Sequence, residues 1–305
     1  MLILQPLDDE VMQWLGERHA LRVAPHLAHD RAALLDSLGD VRALLAPPNV
    51  RVDARVLLHA PLLRVVGCAS EGADNIDQTA CERAGVTVVR AGSATAQAEA
   101  EFMLGALLTL LRRVPAAGDV HRDGKRVGRE LGALTVGLIG MAPSARTTAR
   151  LLGAFGSKVV GYEPSVHASA GVWERWGVQP LGLRDLLAQA DAVCIQLGTY
   201  SRYRGLLGER LLPLCKPEQV VVSIAHADVF DEAVLADSLR SGRIAAAWLD
   251  SVAPGALDEG RPLAGIATLQ VTPRLASTTR ESRLRSAWSV AKRMDSLIAP
   301  SAAAV

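Results

Sequence analysis

From Leu134 onward the sequence alternates short apolar runs with longer amphipathic stretches. The apolar runs are Leu134 to Ile139, Lys158 to Tyr162, Ala192 to Leu197, Val220 to Ile224 and Ala245 to Leu249. That rhythm predicts βαβ units, because strands buried on both faces of a parallel sheet read as continuous apolar runs and need helical crossovers between them. Helix punctuation agrees with it. Asp231 stands as an N-cap before EAVLADSLRS, Arg240 lies in the last turn and Gly242 follows as a stop. The first ninety residues repeat the pattern on a smaller scale, with strands expected at Met1 to Leu4, Val41 to Leu45, Leu63 to Cys68 and Val86 to Val89. Between the two patterns, Ala94 to Arg113 is rich in Ala, Leu and Glu and lacks Pro, which predicts one continuous helix. A further helix is expected over Ser277 to Leu297, followed by a tail of small residues, Pro300 to Val305, expected to fray.

Composition sharpens this picture in three respects. A chain of 305 residues with 50% hydrophobic content can bury two cores. A net charge of +1 provides no electrostatic footprint for nucleic acid, so a small-molecule ligand is the expected partner. Cys68, Cys81, Cys194 and Cys215 form no C-x-x-C pair and sit in apolar surroundings, which reads as buried thiols in a reducing cytoplasm. The amino terminus has no basic segment before its apolar residues, and the apolar run around Phe102 to Leu111 falls short of the ~20 residues that span a bilayer. No membrane association is expected.

The sharpest local feature is TVGLIGMAPSARTTARLLGAFGSKVVGYEP. A strand enters a turn at Gly140, a helix follows, and a second strand ends on the acid Glu163, which is the layout of a dinucleotide-binding βαβ unit. In such a unit glycines allow a tight turn and close approach to a pyrophosphate, and the distal acid accepts from the adenosine ribose. Here the G-x-G-x-x-G positions read Gly140, Ala142 and Ala145.

Further blocks follow in order: PLLRVVGCASEGADNID, AEAEFMLGALLTLLRR, LRDLLAQADAVCIQL, LCKPEQVVVSIA, DEAVLADSLRSGRIAAAWLD and RPLAGIATLQVTPRLAST. With the βαβ unit they make the chain resemble the D-isomer-specific 2-hydroxyacid dehydrogenases from about Pro47 to Arg280. The resemblance implies an α/β fold of two Rossmann-like domains, doubly wound parallel sheets with an interdomain cleft. A flavodoxin-like substrate domain would comprise residues 1–94 and 280–305, and an NAD-binding domain residues 95–279. It also implies a homodimer built largely on the cofactor domains. NAD contacts would fall on Gly140, Ala142, Pro143, Ser144, Ala145, Glu163, Leu197, Gly198, Ala225 and Asp250, in loops at the carboxyl ends of the strands.

The departures from the family pattern concern chemistry. Where the family has an arginine in N-x-x-R-G, this chain reads Ser223, Ile224, Ala225, His226, Ala227; where it has T-P-H, the chain reads Thr272, Pro273, Arg274. The family's D-V-x-x-x-E-P glutamate is replaced by glycine in the segment beginning at Asp250. Arginine and histidine have thus changed places. Hydride transfer to an oxoacid needs one fixed cation and one group that passes a proton near neutral pH, roles that Arg274 and His226 could fill, with Asp228 orienting the imidazole. The competing reading is drift in a site released from catalytic demand. Glu71, in the loop Ser70 to Ala73, would set a negative charge where the family receives a carboxylate; it would repel a simple 2-oxoacid, act as an acid if protonated, or point to solvent.

Ala142 adds a methyl group and Pro143 removes an N–H where the pyrophosphate should lie, so cofactor binding is expected to be weakened. Glu163 without a following Arg or Lys favours NAD over NADP. His26, His29 and Asp30 have metal-compatible spacing but no third partner, and read as a solvated helix start. The loop Tyr200, Arg202, Tyr203, Arg204 could contact ligand or a second subunit. Three functions stay open: an NAD-dependent oxidoreductase on an unusual hydroxy or oxo substrate, a catalytically silent ligand-binding relative, and a non-redox enzyme using His226.

Overall fold

Apolar runs without polar alternation must be covered on both faces, and α-helices follow most of them, although the runs ending at Leu197 and Leu249 reach the next strand with no α-helix between. The structure, a computed structural model, describes residues 1–69, 75–112, 127–198 and 201–298. In chain order it begins with β1 (Leu2–Ile3), α1 (Asp9–Gly16), β2 (Arg22–Val23), α2 (Arg31–Asp36), β3 (Ala43–Leu45) and α3 (Ala54–His59). Then come β4 (Val65–Cys68), α4 (Gln78–Arg83), β5 (Thr87–Arg90) and α5 (Ala96–Leu111). The second half holds β6 (Thr135–Ile139), α6 (Pro143–Ala154), β7 (Lys158–Tyr162), α7 (Val172–Trp176), β8 (Gln179–Pro180), α8 (Leu183–Gln189) and β9 (Ala192–Ile195). The chain continues with β10 (Gln219–Ser223), α9 (Glu232–Arg240), β11 (Ile244–Leu249), β12 (Leu269–Val271) and α10 (Arg280–Ile298). Contacts divide it into two units, Met1–Thr95 with Arg280–Val305, and Ala96–Thr279.

The smaller unit is a parallel sheet in the order β2-β1-β3-β4-β5, the flavodoxin-like arrangement. One face is covered by a cluster that includes Leu34, Leu38, Val56 and Cys81, the other by Val290 and Met294 of α10. Gly67 in β4 makes room for that helix: a methyl group there would collide with Met294 Sδ and lie 2.9 Å from Val290 Cγ1. The larger unit is a parallel sheet in the order β12-β11-β10-β9-β6-β7-β8. Its central strands alternate between two cores. Val136, Leu138, Cys194, Val220 and Val222 face α5 and α6, while Ile139, Val193, Ile195 and Val221 face α8 and α9.

The two-domain α/β reading holds, with corrections at the ends. The helix expected from Ala94 to Arg113 starts at Ala96, after a 3-10 turn over Gly92–Thr95, and the one expected from Ser277 starts at Arg280. Strands β2, β8 and β12 had no sequence signal, because they are short edge strands without a buried apolar run. Asp231 caps α9, its side chain accepting from the N–H groups of Ala233 and Val234, and Gly242 follows at φ 72°. All four cysteines are buried and outside any disulfide, and burial pushes the Cys194 thiol up to about 12. The tail from Pro300 lies outside the described residues. Gly67→Ala is expected to destabilise the protein by about 1–3 kcal/mol through overpacking, read as a lower urea midpoint at unchanged m-value.

Candidate functional site

Parallel pairing places one row of residues side by side across the larger sheet: Tyr162, Ile139, Ile195, Ser223, Leu249 and Val271. The ladder extends one residue past that row. Gly140 N–H donates to Tyr162 O, Gln196 N–H to Ile139 O, Ile224 N–H to Ile195 O, Asp250 N–H to Ser223 O and Thr272 N–H to Leu249 O. Candidates from every strand therefore emerge at one edge, the carboxyl edge at which open α/β sheets bind ligands.

At the switch point between β6 and β9, Gly140 has φ 92°, and a Cβ there would stand 2.6 Å from the backbone O of Gln196. The fold itself demands this glycine at the tight turn expected from the sequence, independently of any approach to a pyrophosphate. Helix α6 opens with Ala142 as N-cap and Pro143 in the first turn, and no side chain caps it. Proline is tolerated there because an N–H at the first helical position has no intrahelical acceptor. The N–H groups of Ser144 and Ala145 are left without a capping side chain, a donor pair suited to an anion.

Glu163 does more than wait for a ribose. Its Oε2 accepts the Met141 N–H at 3.0 Å, and its Oε1 accepts Ser165 N–H at 3.1 Å and Ser165 Oγ–H at 2.7 Å. Burial pushes this carboxyl up, but these hydrogen bonds and the charge of Arg202 outweigh burial and hold it below the usual glutamate value. A carboxylate offers about four acceptor sites, so about one remains for a ligand hydroxyl.

On the loop after β10, His226 Nδ1 lies 2.7 Å from Asp228 Oδ1, and Arg204 Nε donates to the other carboxylate oxygen at 3.1 Å. The Asp228 N–H also points at Nδ1, at 3.4 Å, a geometry that needs an unprotonated nitrogen. The shorter, charge-assisted contact decides the tautomer: Nδ1 carries the proton and Nε2 is the exchangeable site. Burial raises the Asp228 carboxyl, and the bonds from His226 and Arg204 more than reverse it, holding it below its usual range. A recess at this point is lined by Leu197, Gly198, Tyr203, Ala225 and Val229 together with the His226–Asp228 pair.

Asp250, 5% exposed, grips the segment after β12: its carboxylate accepts Thr272 Oγ1–H at 2.6 Å, Leu275 N–H at 2.8 Å and Ala276 N–H at 2.9 Å. Between them Arg274 is held at φ 57°, its N–H donating to Asp250 O at 2.7 Å. Its guanidinium is exposed and makes no hydrogen bond or ion pair among the described residues.

Residues 104–276 match the profile of the D-isomer specific 2-hydroxyacid dehydrogenase, NAD binding domain. The D-3-phosphoglycerate dehydrogenase of Mycobacterium tuberculosis is 34% identical over 96% of this chain, and the chain spans 55% of that protein's length. The (S)-sulfolactate dehydrogenase of Chromohalobacter salexigens is 32% identical over 94% of each chain. The D-lactate dehydrogenase of Aquifex aeolicus, solved with NAD and lactic acid, superposes with a TM-score of 0.79 at 20% identity, covering 97% of this chain and 94% of that one. The chain belongs to the D-isomer-specific 2-hydroxyacid dehydrogenases. It carries the NAD-binding domain of that family.

Within this dehydrogenase framework the structure brings Leu197, Gly198, Ala225, His226 and Asp228 around one recess, and Gly140, Ala142, Pro143, Ser144, Ala145 and Glu163 around one turn. Arg274 and Asp250 do not line the recess. Glu71 and Tyr200 lie outside the described residues. Sequence reasoning missed Met141 and Ser165, whose contributions are backbone or local hydrogen bonds, and left Tyr203 and Arg204 unassigned; only their proximity to strand ends pointed to them.

Two outcomes are expected here. A depressed carboxyl stabilises the fold above its usual value and loses that contribution as pH falls, so the stability gap between wild type and Glu163→Gln should close as pH drops below 4.5, read by urea unfolding across pH. Arg274→Gly should raise stability by up to about 1 kcal/mol by relieving left-handed strain, measured the same way.

Proposed function

We propose that this protein is an NAD-dependent oxidoreductase acting on a hydroxy or oxo substrate outside the simple 2-oxoacids, with the family's acid and cation exchanged in position. The observation carrying this reading is the 2.7 Å pair of His226 and Asp228 beside the carboxyl end of β10. With Nδ1 committed to Asp228, His226 can give or take a proton at Nε2, the role a neutral-pH acid must fill. Arg274 is the fixed cation of this reading, and its backbone strain, held by Asp250, is the kind stored at working sites.

The residues present fit a dinucleotide. The uncapped start of α6 suits a pyrophosphate, through Ser144 and Ala145, and the remaining acceptor site of Glu163 suits one ribose hydroxyl. The nicotinamide cofactor, when bound, would accept the hydride of a hydroxy substrate as NAD or supply one to an oxo substrate as NADH. The hold is weaker than the family norm on three counts: the Ala142 methyl, the N–H lost at Pro143 and the prior engagement of Glu163. Relatives named for phosphoglycerate and sulfolactate carry a second anionic group on their substrates, so a substrate with such a group is the first class to try here.

A second reading, a non-redox relative that binds ligand in the same place, is favoured by one observation: Arg274 does not line the recess that holds His226. Titration with NAD, NADH and their 2′-phosphorylated forms separates the two. Saturable NAD or NADH binding, weakened in Glu163→Ala, followed by substrate turnover in which His226→Gln lowers kcat about 10²–10⁴-fold while leaving NAD affinity intact, is expected. Absence of binding by all four nucleotides at millimolar concentration rejects the oxidoreductase reading.

A further inference from the structure

The smaller unit holds a cavity of about 520 Å³ that the dehydrogenase reading does not use. Its walls come from the turn Pro25–Ala28 after β2, from the start of α2, from residues 49–53 after β3, and from Arg55 in the first turn of α3. These segments leave the carboxyl ends of β2 and β3, the edge at which doubly wound sheets take ligands, and the volume falls in the ~300–1,000 Å³ range of small-molecule sites. Leu27, Leu34 and Val50, all under 10% exposed, give it an apolar floor.

The rim carries an unbalanced charge. Arg31 Nη2 donates to both carboxylate oxygens of Asp53, at 2.8 and 2.7 Å, and its Nη1 donates to Arg51 O at 3.1 Å. Asp53 also caps α3 by accepting from the N–H groups of Arg55 and Val56. This one carboxylate is the acidic group in the lining, and Arg31 already neutralises it. Arg51, 80% exposed, reaches it only at 3.7 Å, and the Arg55 guanidinium makes no hydrogen bond or ion pair among the described residues. Asp30, nearby in sequence, accepts from Ala33 N–H at 3.0 Å and does not line the cavity. Two guanidinium groups therefore flank an apolar floor with little to neutralise them. His29 adds a further donor at the same rim.

We infer that this cavity binds a small organic anion, a phosphate- or carboxylate-bearing molecule with a short apolar body. Arg51 and Arg55 take the anionic group, the Arg31–Asp53 pair is a fixed wall, and the body lies over Leu27, Leu34 and Val50. Arginine suits the task because its planar donors match both anions in a two-bond geometry.

The test is calorimetric titration of the whole chain at fixed ionic strength with phenyl phosphate, inorganic phosphate and phenol, since screening would otherwise mask the charge contribution. Phenyl phosphate should saturate, inorganic phosphate should bind more weakly, and phenol should not bind. The double variant R51Q/R55Q should weaken phenyl phosphate by about tenfold or more, and R51K/R55K should recover part of it. Both side chains are exposed, so the thermal midpoint and NAD titration should stay as in wild type; R55Q alone repeats the test should the double variant fold poorly. Failure of both anions to saturate below about 10 mM, or equal binding by wild type and R51Q/R55Q, overturns the assignment, the latter placing the anion elsewhere on the protein.

Discussion

The parallel pairing of the larger sheet is the constraint on which the candidate site depends. Because β7, β6, β9, β10, β11 and β12 all run in one direction, the row from Tyr162 to Val271 aligns their carboxyl ends, and every loop leaving that row starts at one level. Residues as distant in sequence as Gly140, Glu163, His226 and Asp250 become neighbours of one edge without any direct attraction between them. The backbone ladder that carries Gly140, Gln196, Ile224, Asp250 and Thr272 one step past the row makes this positioning rigid.

On that edge two carboxylates hold the loops in shape. Glu163 ties the end of β7 to the turn after β6 through the Met141 N–H, and Asp250 ties the end of β11 to the segment bearing Arg274. Each satisfies backbone donors that would otherwise be left unpaired, at a cost of about 1–3 kcal/mol apiece. A residue that reads as a ligand contact in the sequence can therefore be a structural clasp as well. Glu163 and Asp250 each accept three hydrogen bonds made within the chain, so each keeps about one acceptor site.

The sequence shows the strands of both sheets wherever a strand is buried on two faces, because burial forces the apolar run that betrays it. Edge strands β2, β8 and β12 escape because an edge has no such demand. The helix of Ala94 to Arg113 was legible in type but not in limits, since composition does not distinguish the 3-10 turn at Gly92–Thr95 from the first turn of α5. Gly140 was legible as a turn, yet its reason, the carbonyl of Gln196 close behind it, comes from a strand fifty-odd residues on.

By itself the sequence determined the α/β class, the parallel sheets, the βαβ turn and the family, because each of these is written in local periodicity and in motifs short enough to read along one stretch of chain. It also set His226 and Arg274 just past two strand ends. Only the tertiary structure decided what those residues touch: that His226 pairs with Asp228, that Glu163 is already bonded to Met141 and Ser165, and that Arg274 is held in a left-handed conformation by Asp250. The physical reason is that a hydrogen bond depends on distance and direction at the ångström scale. Those are set by how loops leave the aligned strand ends, and no spacing of letters along the chain records them.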